Sequence, residues 1–329
     1  MMLIIQIPCY NEAETLPIAL NDLPRELPGF DEVYWLVIDD GSSDQTAEVA
    51  KACGVDYVIR HTANQGLAKA FMSGIEAAIN MGADVIVNTD ADNQYRAADI
   101  PLLIEPILAG RADFVIGERP IANIAHFSRI KKILQKIGSS VVRIASNTAI
   151  PDAPSGFRAI SRKAAMYFNV FNDYTYTLET IIQAGQKNLA IASVPIQVNE
   201  DLRPSRLVKS VPQYIKRSIM TIVRIFVVYR PFRFFISIGF LFFLPGLGLG
   251  LRFLYYLLTG EGEGHIQSVV LSGALLAMGL QTMLVAFLSD LSGVNRKLLE
   301  DIQFRLKTLQ VKNDDLATAA TKRVDTDQR

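Results

Sequence analysis

Two long apolar stretches near the C-terminus constrain this chain more than any other feature of its sequence. Residues 232–258 and 266–289 are each longer than the roughly 20 apolar residues that cross a bilayer as a helix. Only the short segment TGEGEGH separates them. The chain is 50% hydrophobic, and the excess over a typical soluble protein is concentrated here. The sequence therefore predicts a transmembrane hairpin of two helices over residues 232–290.

Charged residues around the hairpin predict its orientation in the membrane. Lysines and arginines precede the first stretch and follow the second, whereas the linker carries two glutamates and no basic residue. The basic residues are Arg230, Arg233, Arg296, Lys297, Arg305 and Lys307. Because basic residues flanking a span stay on the cytoplasmic side, we expect an integral inner or plasma membrane protein with two spans and both termini in the cytoplasm.

The segments that flank the hairpin differ from it in composition. Residues 201–231 mix Lys and Arg with Ile, Val and Phe, which is typical of an amphipathic juxtamembrane helix at a membrane surface. Residues 291–312 are expected to form a cytosolic helix, and residues 313–329 have too little apolar content to pack, so we predict a disordered tail. Two helices alone offer little mutual burial, which favours a homo-oligomer.

The first 200 residues alternate between short apolar runs and helical patterns. This alternation predicts βαβ units and hence a mainly parallel sheet in an α/β domain over residues 1–200. Ligands of such sheets bind beyond the carboxyl ends of the strands. The 33 basic residues balance the 33 acidic ones, so charge gives no indication of a nucleic-acid partner. The predicted strands are 3–8, 33–38, 57–60, 84–88, 113–117 and a further run over 193–201.

Two aspartates end the fourth apolar run. The segment VNTDADNQY, residues 87–95, places Asp90 and Asp92 at the carboxyl end of a predicted strand. Their mutual repulsion costs stability unless a cation binds. Carboxylate oxygens are preferred ligands of hard divalent cations, which can also bridge to phosphate oxygens. The pair therefore indicates a metal site, and a solvated acidic turn is the alternative interpretation of D-x-D by itself.

Five motifs together resemble family 2 glycosyltransferases with the Rossmann-like GT-A fold. Their order along the chain is the family's order, and the resemblance covers roughly residues 3–165. Over 166–329 it rests on architecture: the hairpin is similar to that of the polyisoprenyl-phosphate branch, which includes dolichyl-phosphate mannose synthase and GtrB-type enzymes. The motifs are PCYNE (8–12), VIDDGSSDQT (37–46), NQGLAKA (64–70), DADNQ (90–94) and SGFRAISR (155–162).

The resemblance implies an activity. It is the inverting transfer of a single sugar from a UDP- or GDP-linked donor to a polyprenyl phosphate, undecaprenyl or dolichyl, at the cytosolic membrane face. It also implies Mg²⁺ or Mn²⁺ as cofactor and a place in the synthesis of a cell-envelope glycan. The Q-x-x-R-W signature of processive synthases is absent, since Trp35 is the single tryptophan, and this favours transfer of one sugar over polymerisation.

The resemblance also implies which residues bind the donor. Asp90 and Asp92, with Gln94, would hold the cation. Asp40 is an alternative to Asp39 as acceptor of a base N–H, and helix-start roles for Glu12 and Gly66 stay equally open. The residues expected to border the nucleotide are Pro8, Tyr10, Glu12, Asp39, Asn64, Gly66 and Asp90.

Basic residues are expected to bind the two anions that meet in such a reaction. Arg203 and Arg206 resemble a lid over the donor diphosphate, and contact with lipid headgroups is the alternative. The acceptor phosphate would be attracted by a second group, for which a solvated basic helix face is the alternative. That second group is Arg119, Arg129, Lys131 and Lys132.

The acceptor decides whether the reaction needs a base. A polyprenyl monophosphate has a second pKa of about 6 and is mostly a dianion, so it needs none. Asp152 lies where many inverting relatives carry an acidic residue, which implies that it orients the acceptor or a sugar hydroxyl; a turn or capping role is the alternative. An alcohol acceptor such as diacylglycerol or ceramide would require Asp152 as the base. With Asp92 and Arg119, it completes the candidate catalytic set; a non-catalytic membrane scaffold is the third interpretation.

Overall fold

The chain divides into two compact units. A computed structural model describes residues 1–120, 139–140, 142–144, 146–170, 176–199, 211–260 and 266–327. The first unit comprises Met1–Ser218 and Ile302–Arg329, and the second comprises Ile219–Asp301.

A seven-stranded sheet organises the first unit within the described residues. Its strand order is β3-β2-β1-β4-β6-β5-β7. Strand β6 runs antiparallel to both of its neighbours, β4 and β5, and the remaining pairs are parallel. The strands are β1 Met2–Cys9, β2 Glu32–Asp39, β3 Tyr57–Arg60, β4 Val85–Asn88, β5 Phe114–Glu118, β6 Arg158–Ser161 and β7 Ile191–Pro195.

Helices cover the sheet of this unit. Helix α3 is typical, because its apolar residues recur on one face and are buried, among them Phe71 and Ile75. Gly74 lets α3 approach the sheet closely, since a methyl group there would collide with the side chain of Gln6 in β1. The helices are α1 Leu16–Asp22, α2 Thr46–Ala52, α3 Leu67–Asn80, α4 Ile100–Leu108, α5 Arg162–Tyr167 and α6 Thr177–Gln186.

The predicted α/β fold with a mainly parallel sheet is confirmed, and two details are corrected. The first five predicted strands are present within two residues of their expected ends. Strand β6 was not predicted, because RAIS is short and lies inside a motif interpreted for function. The run expected over 193–201 is instead β7, Ile191–Pro195. Pro195 has no N–H to donate to a neighbour, which fits its place at the end of an edge strand.

Three further helices follow. They are α7 Val211–Tyr229, α8 Pro231–Leu258 and α9 Ile266–Asp327. Helix α8 and the Ile266–Gln310 part of α9 have apolar windows of mean hydropathy 2.1 and 1.9, with 11% and 17% of those windows buried. By length and composition, both are able to cross a membrane, as the two apolar stretches predict.

Small residues bring α8 and α9 together in the second unit. The Ser272 hydroxyl donates to the Gly246 carbonyl at 2.7 Å, which joins the two helices inside an apolar region. A methyl group at Gly239 would lie 2.7 Å from Met283 Cγ, and one at Gly279 would lie 2.8 Å from the backbone of Phe243. Close helix contact in an apolar environment depends on such small residues.

Helix α9 corrects the expected C-terminal boundaries. The predicted limits at residues 290 and 312 fall inside this one helix, and it continues to Asp327 through the expected disordered tail. The tail's low apolar content argues against packing but not against helix formation, and its alanines have high helix propensity. Within the first unit, Phe304 of this helix stacks on Tyr167 with ring centroids 3.9 Å apart.

Candidate active site

The carboxyl ends of neighbouring parallel strands place several predicted residues at one edge of the sheet. Strands β2, β1 and β4 are adjacent and parallel, so the loops that follow them leave the sheet at the same edge. Antiparallel β6 begins there, because its Arg158 pairs with Asn88 at the end of β4. The sheet therefore brings together the first, second, fourth and fifth motifs.

Asp39 ends β2 in a fully buried position, with 0% of its surface exposed. Its Oδ1 accepts a hydrogen bond from the Ser42 N–H at 2.9 Å. Its Oδ2 lies 3.2 Å from Arg60 Nε and accepts no hydrogen bond within the part of the chain that the structure describes. Asp39 Oδ2 therefore retains capacity to accept a hydrogen bond, and its assignment to the base stays a prediction.

Asp40 anchors the loop that follows β3. Its Oδ1 lies 2.7 Å from His61 Nδ1 and accepts the Gln65 N–H at 2.9 Å, while its Oδ2 accepts the Gly66 N–H at 2.8 Å. Asp40 is buried, and protein donors occupy both of its oxygens. These contacts favour Asp39 over Asp40 for the base and give Asp40 a loop-positioning role.

The next residue explains why this loop comes so close. Gly41 has a φ of +69°, and a methyl group there would lie 2.7 Å from the backbone nitrogen of Asn64. Asn64 is exposed, and Gly66 is the N-cap of α3 with a φ of +93°. The motif pair DDG and NQG is therefore one structural unit, and the helix-start interpretation of Gly66 is correct.

Three of the predicted residues lie at the end of β1 and in the loop that follows it. Pro8 pairs with Ile38 in the sheet, and Tyr10 exposes 43% of its surface. The buried Glu12 accepts a hydrogen bond from the Thr15 hydroxyl at 2.6 Å, and its carbonyl accepts the Leu16 N–H at 2.9 Å. Glu12 thus organises the start of α1, which is its helix-start interpretation, while Tyr10 presents a ring at the surface.

The aspartates after β4 have few protein partners. Among the described residues, Asp90 accepts no hydrogen bond, and Asp92 accepts only the Gln94 N–H, at 3.2 Å. Both are half-buried. Burial, and then the Asp92 carboxylate, raise the pKa of Asp90 to about 7. A carboxylate in this condition is stabilised by a cation.

The donor set fits a hard divalent cation held partly by the protein. Two carboxylates with unused oxygens, and the half-buried Gln94 nearby, offer the oxygen ligands that Mg²⁺ and Mn²⁺ prefer. Over the described ranges, no group of three His, Cys, Asp or Glu residues is arranged to enclose a metal. Such a site leaves coordination positions for oxygens from a ligand, as is usual for Mg²⁺ at phosphates.

Arg119 and Asp152 form a buried ion pair. Arg119 Nε donates to Asp152 Oδ2 at 2.8 Å, and Nη2 donates to Oδ1 at 3.0 Å. The side chains are only 9% and 1% exposed. Because each charge neutralises the other, the pair differs from the sequence expectation of a separate phosphate-binding cation and a separate catalytic carboxylate. The two residues are 33 positions apart in the sequence, and no local pattern indicates that they pair.

Two residues of the fifth motif at the same edge were not predicted as site residues. Arg158 is fully buried and donates to the Ser155 carbonyl at 2.7 Å and the Thr180 hydroxyl at 2.6 Å; burial lowers its pKa to about 10. Gly156, beside it, faces Asp90. The motif SGFRAISR contains both residues, so the sequence marked them as part of a motif but gave no indication of their contacts.

Five predicted basic residues are not among the described positions. They are Arg129, Lys131, Lys132, Arg203 and Arg206. The assignments of an acceptor-phosphate group and a diphosphate lid to these residues stay predictions.

The fold and the carboxylate edge together define an α/β domain of the GT-A class. The structure resembles glucosyl-3-phosphoglycerate synthase from Mycobacterium tuberculosis, crystallised with Mn²⁺, UDP-glucose and phosphoglyceric acid, with a TM-score of 0.55. The likeness covers 69% of this chain and 78% of that one at 18% identity, so it establishes the fold alone. The sequence model named Glycosyl transferase family 2 matches residues 4–168, and the chain belongs to that family.

Relatives are also similar over most of their own length. A polyprenol monophosphomannose synthase from Mycolicibacterium smegmatis is 26% identical over 208 residues, which are 60% of this chain and 77% of the relative. A UDP-N-acetylglucosamine–dolichyl-phosphate N-acetylglucosaminyltransferase from Methanococcus voltae is 28% identical over 214 residues, covering 58% and 83%. The first name specifies a polyprenol-linked sugar phosphate as product and the second a dolichyl phosphate, and the resemblance to the polyisoprenyl-phosphate branch is confirmed.

Proposed function

We propose that this chain is a metal-dependent, inverting glycosyltransferase. It moves one hexose-type sugar from a nucleoside diphosphate sugar to a polyprenyl phosphate, such as undecaprenyl or dolichyl phosphate, at the cytosolic face of a membrane. The observation that carries the proposal is the cation-ready pair Asp90 and Asp92 in a family 2 domain. Two helices apolar enough to cross a membrane, and the acceptors named for the relatives, support a lipid phosphate.

The donor lies along the carboxyl edge of the sheet in this proposal. Asp39 accepts an N–H of the base after the half-exposed Arg60, which lies 3.2 Å from its buried Oδ2, moves aside, and the surface ring of Tyr10 stacks beside the base. Uracil and guanine both carry such an N–H, so this contact accommodates UDP- and GDP-linked donors alike. Asp90 and Asp92 hold Mg²⁺ or Mn²⁺, which when bound neutralises the charge that builds on the departing diphosphate. The crystallised M. tuberculosis synthase with Mn²⁺ and UDP-glucose supports this choice of cofactor.

The acceptor phosphate oxygen attacks the anomeric carbon on the face opposite the diphosphate. One carbon–oxygen bond forms and another breaks, and an α-linked donor gives a β-linked product. A phosphate dianion needs no proton removed. This agrees with the bidentate pairing of Asp152 by Arg119, because both carboxylate oxygens already accept charge-assisted hydrogen bonds from the protein.

The remaining assignments complete the proposal. Arg203 and Arg206 cover the diphosphate, and Arg129, Lys131 and Lys132 attract the acceptor. The two apolar helices cross the membrane as a hairpin with both termini cytoplasmic, because the flanking segments carry the basic residues. Homo-oligomerisation belongs to the same proposal.

The test is direct transfer by membranes that contain the full chain. We expect these membranes, given undecaprenyl phosphate, Mn²⁺ and a panel of labelled UDP- and GDP-sugars, to form a lipid-linked sugar phosphate from at least one donor. Mass spectrometry identifies the product, and NMR coupling at the anomeric carbon identifies its β configuration. Membranes with Asp92→Asn are the control.

Three results would contradict the proposal in different ways. An α-linked product would refute inversion. Transfer to diacylglycerol or ceramide in the same vesicles, in preference to the lipid phosphate, would move the assignment to an alcohol acceptor and a catalytic Asp152. Failure of the wild-type protein to bind any nucleotide sugar with Mn²⁺, measured by calorimetry, would favour a membrane scaffold.

A further inference from the structure

The backbone N–H and the backbone carbonyl of Gly156 are both hydrogen-bonded to buried polar side chains. Its N–H donates to the Tyr95 hydroxyl at 2.9 Å. Its carbonyl accepts from Asn88 Nδ2 at 2.9 Å and from the Tyr176 hydroxyl at 3.5 Å. Asn88 Nδ2 also donates to the Tyr176 oxygen at 2.9 Å. We define Tyr95, Asn88 and Tyr176 as the Gly156 clamp.

The members of the clamp are themselves fixed by packing. The ring of Tyr176 stacks on Phe71 of α3 with centroids 3.8 Å apart and planes 4° from parallel. The ring of Tyr95 stacks on Phe157 at 5.1 Å. Asn88 ends β4 and is fully buried. Buried, hydrogen-bonded side chains in close-packed surroundings keep one conformation, so the position of the Gly156 backbone is set by its surroundings.

The side of Gly156 that lacks a side chain faces the candidate cation site. A methyl group added there would lie 3.2 Å from both carboxylate oxygens of Asp90 and 3.0 Å from the Tyr176 oxygen. Such contacts are tighter than ordinary van der Waals contact, so the Asp90 carboxylate would have to move by a few tenths of an ångström. The Asp90 carboxylate, which accepts no hydrogen bond from the described residues, thus lies against the space that a side chain at position 156 would fill.

We propose that Gly156, fixed by its clamp, is the positioning residue that sets where the Asp90 carboxylate lies and therefore how tightly the edge binds a divalent cation. The inference deepens the proposed function and rests on its cation site. Groups that orient a metal ligand without touching the metal change affinity by about 10–100-fold when they are altered. Among the described residues no hydrogen bond orients Asp90, although Arg119 and Arg158 attract its carboxylate. The absence of a side chain at Gly156 leaves the room in which that carboxylate lies.

The primary test measures cation binding rather than turnover. We expect Gly156→Ala in the full chain to bind Mn²⁺ about 10-fold more weakly than wild type, when free Mn²⁺ is followed by electron paramagnetic resonance in detergent with UDP present. Gly293→Ala is the matched control, because nothing lies within 4 Å of a methyl group there, and it should bind Mn²⁺ like wild type. Wild-type affinity in Gly156→Ala would overturn the proposal.

A second variant guards against a folding defect in the first. Tyr176→Phe keeps the ring that stacks on Phe71 and removes the hydroxyl that lies between Asn88 and Gly156. We expect a loss of Mn²⁺ affinity of about threefold, in line with one altered hydrogen bond, and a thermal unfolding temperature only about 2–4 °C below that of wild type. Unchanged Mn²⁺ affinity in this variant also counts against the clamp.

A double-mutant cycle tests whether the effect passes through Asp90. If Gly156 acts by positioning that carboxylate, Gly156→Ala should weaken Mn²⁺ binding no further in a protein that already carries Asp90→Asn. Additive losses would overturn the route through Asp90. A wild-type protein that binds no Mn²⁺ overturns both this inference and the cation site, whereas intact Mn²⁺ binding without sugar transfer contradicts the transfer alone.

Discussion

The loops after β2 and β4 are both rich in aspartate, yet their carboxylates are in opposite conditions. In the first loop, Asp40 is contacted by three nitrogen atoms, one from His61 and two from backbone N–H groups. In the second loop, Asp90 accepts none from the described residues, and Asp92 accepts one. Acidic residues at a strand end therefore indicate a ligand site where the protein leaves the carboxylates without donors.

The pKa values of two aspartates express this difference. Partial burial opposes ionisation of Asp44 in the first loop, but hydrogen bonds from the Thr46 side chain and from backbone N–H groups outweigh it and lower its pKa. Burial and the neighbouring Asp92 raise the pKa of Asp90 to about 7. The first loop is a stabilised structural element, while the second holds an unfavourable arrangement of the kind found at functional sites.

The largest expected effect follows from removing a carboxylate of the second loop. Asp92→Asn should lower the rate of sugar transfer by at least about 10³-fold, which corresponds to roughly 4 kcal/mol of transition-state stabilisation. Its thermal unfolding temperature should stay close to that of wild type, because Asp92 accepts a single described hydrogen bond. The surface variant Glu105→Gln is the control for both measurements. Unfolding well below the wild-type temperature would make Asp92 a structural residue like Asp40.

Next in size is the effect of breaking the buried pair Arg119 and Asp152. Arg119→Ala leaves a buried carboxylate without its partner and should cost about 3–5 kcal/mol of unfolding free energy. The double variant Arg119→Met with Asp152→Leu removes both charges and should recover most of that loss. Chemical unfolding in detergent measures both. A stable Asp152→Asn protein without transfer to the lipid phosphate would instead identify Asp152 as a catalytic residue.

The first loop gives the matched counterpart of the Asp92 variant. Asp40→Asn removes one carboxylate oxygen that accepts the Gly66 N–H or the Gln65 N–H, and should cost about 2 kcal/mol of unfolding free energy. Because the loop after β3 then loses its anchor, we expect a higher KM for the donor with a smaller change in kcat. A loss of kcat as large as that of Asp92→Asn, at unchanged stability, would erase the difference between the two loops.

The two loops differ in how much of their structure has a local signal in the sequence, for a physical reason. The strand before Asp90 and the D-x-D spacing can both be recognised in the order of residues. General chemistry adds that hard cations prefer oxygen ligands. The role of Asp40 does not, because its donors include backbone N–H groups of Gln65 and Gly66, which any residue possesses. Aspartates at a strand end therefore have the same sequence signal whether they anchor a neighbouring loop, as Asp40 does, or lack donors, as Asp90 does.

Contacts between residues far apart in the sequence could not be predicted either. The fold followed from the alternation of apolar runs, since hydrophobic periodicity is local. The pairing of Arg119 with Asp152, and the position of Gly156 facing Asp90, depend on antiparallel β6 lying in the sheet between β4 and β5. That insertion has no local signal, so motif residues could be located without their partners.

The smallest expected effect concerns His61, which extends the first loop's network. Its Nδ1 lies 2.7 Å from Asp40 Oδ1, and its Nε2 lies 3.0 Å from the Ser73 hydroxyl. Because a carboxylate accepts and does not donate, Nδ1 carries a proton. His61→Asn can keep a donor toward Asp40 and lose Ser73, whereas His61→Gln can reach Ser73 and lose Asp40.

The two variants therefore separate the two contacts of one side chain. A bond to an ionised acceptor is about twice as strong as a neutral one, so His61→Gln should cost about 1.5 kcal/mol and His61→Asn about 0.5 kcal/mol of unfolding free energy. Ser73→Ala, which removes the neutral contact alone, should match His61→Asn. If His61→Asn cost more unfolding free energy than His61→Gln, the contact with Ser73 in α3 would anchor the first loop more strongly than the contact with Asp40. Asp40 would then not depend on His61 as a hydrogen-bond donor.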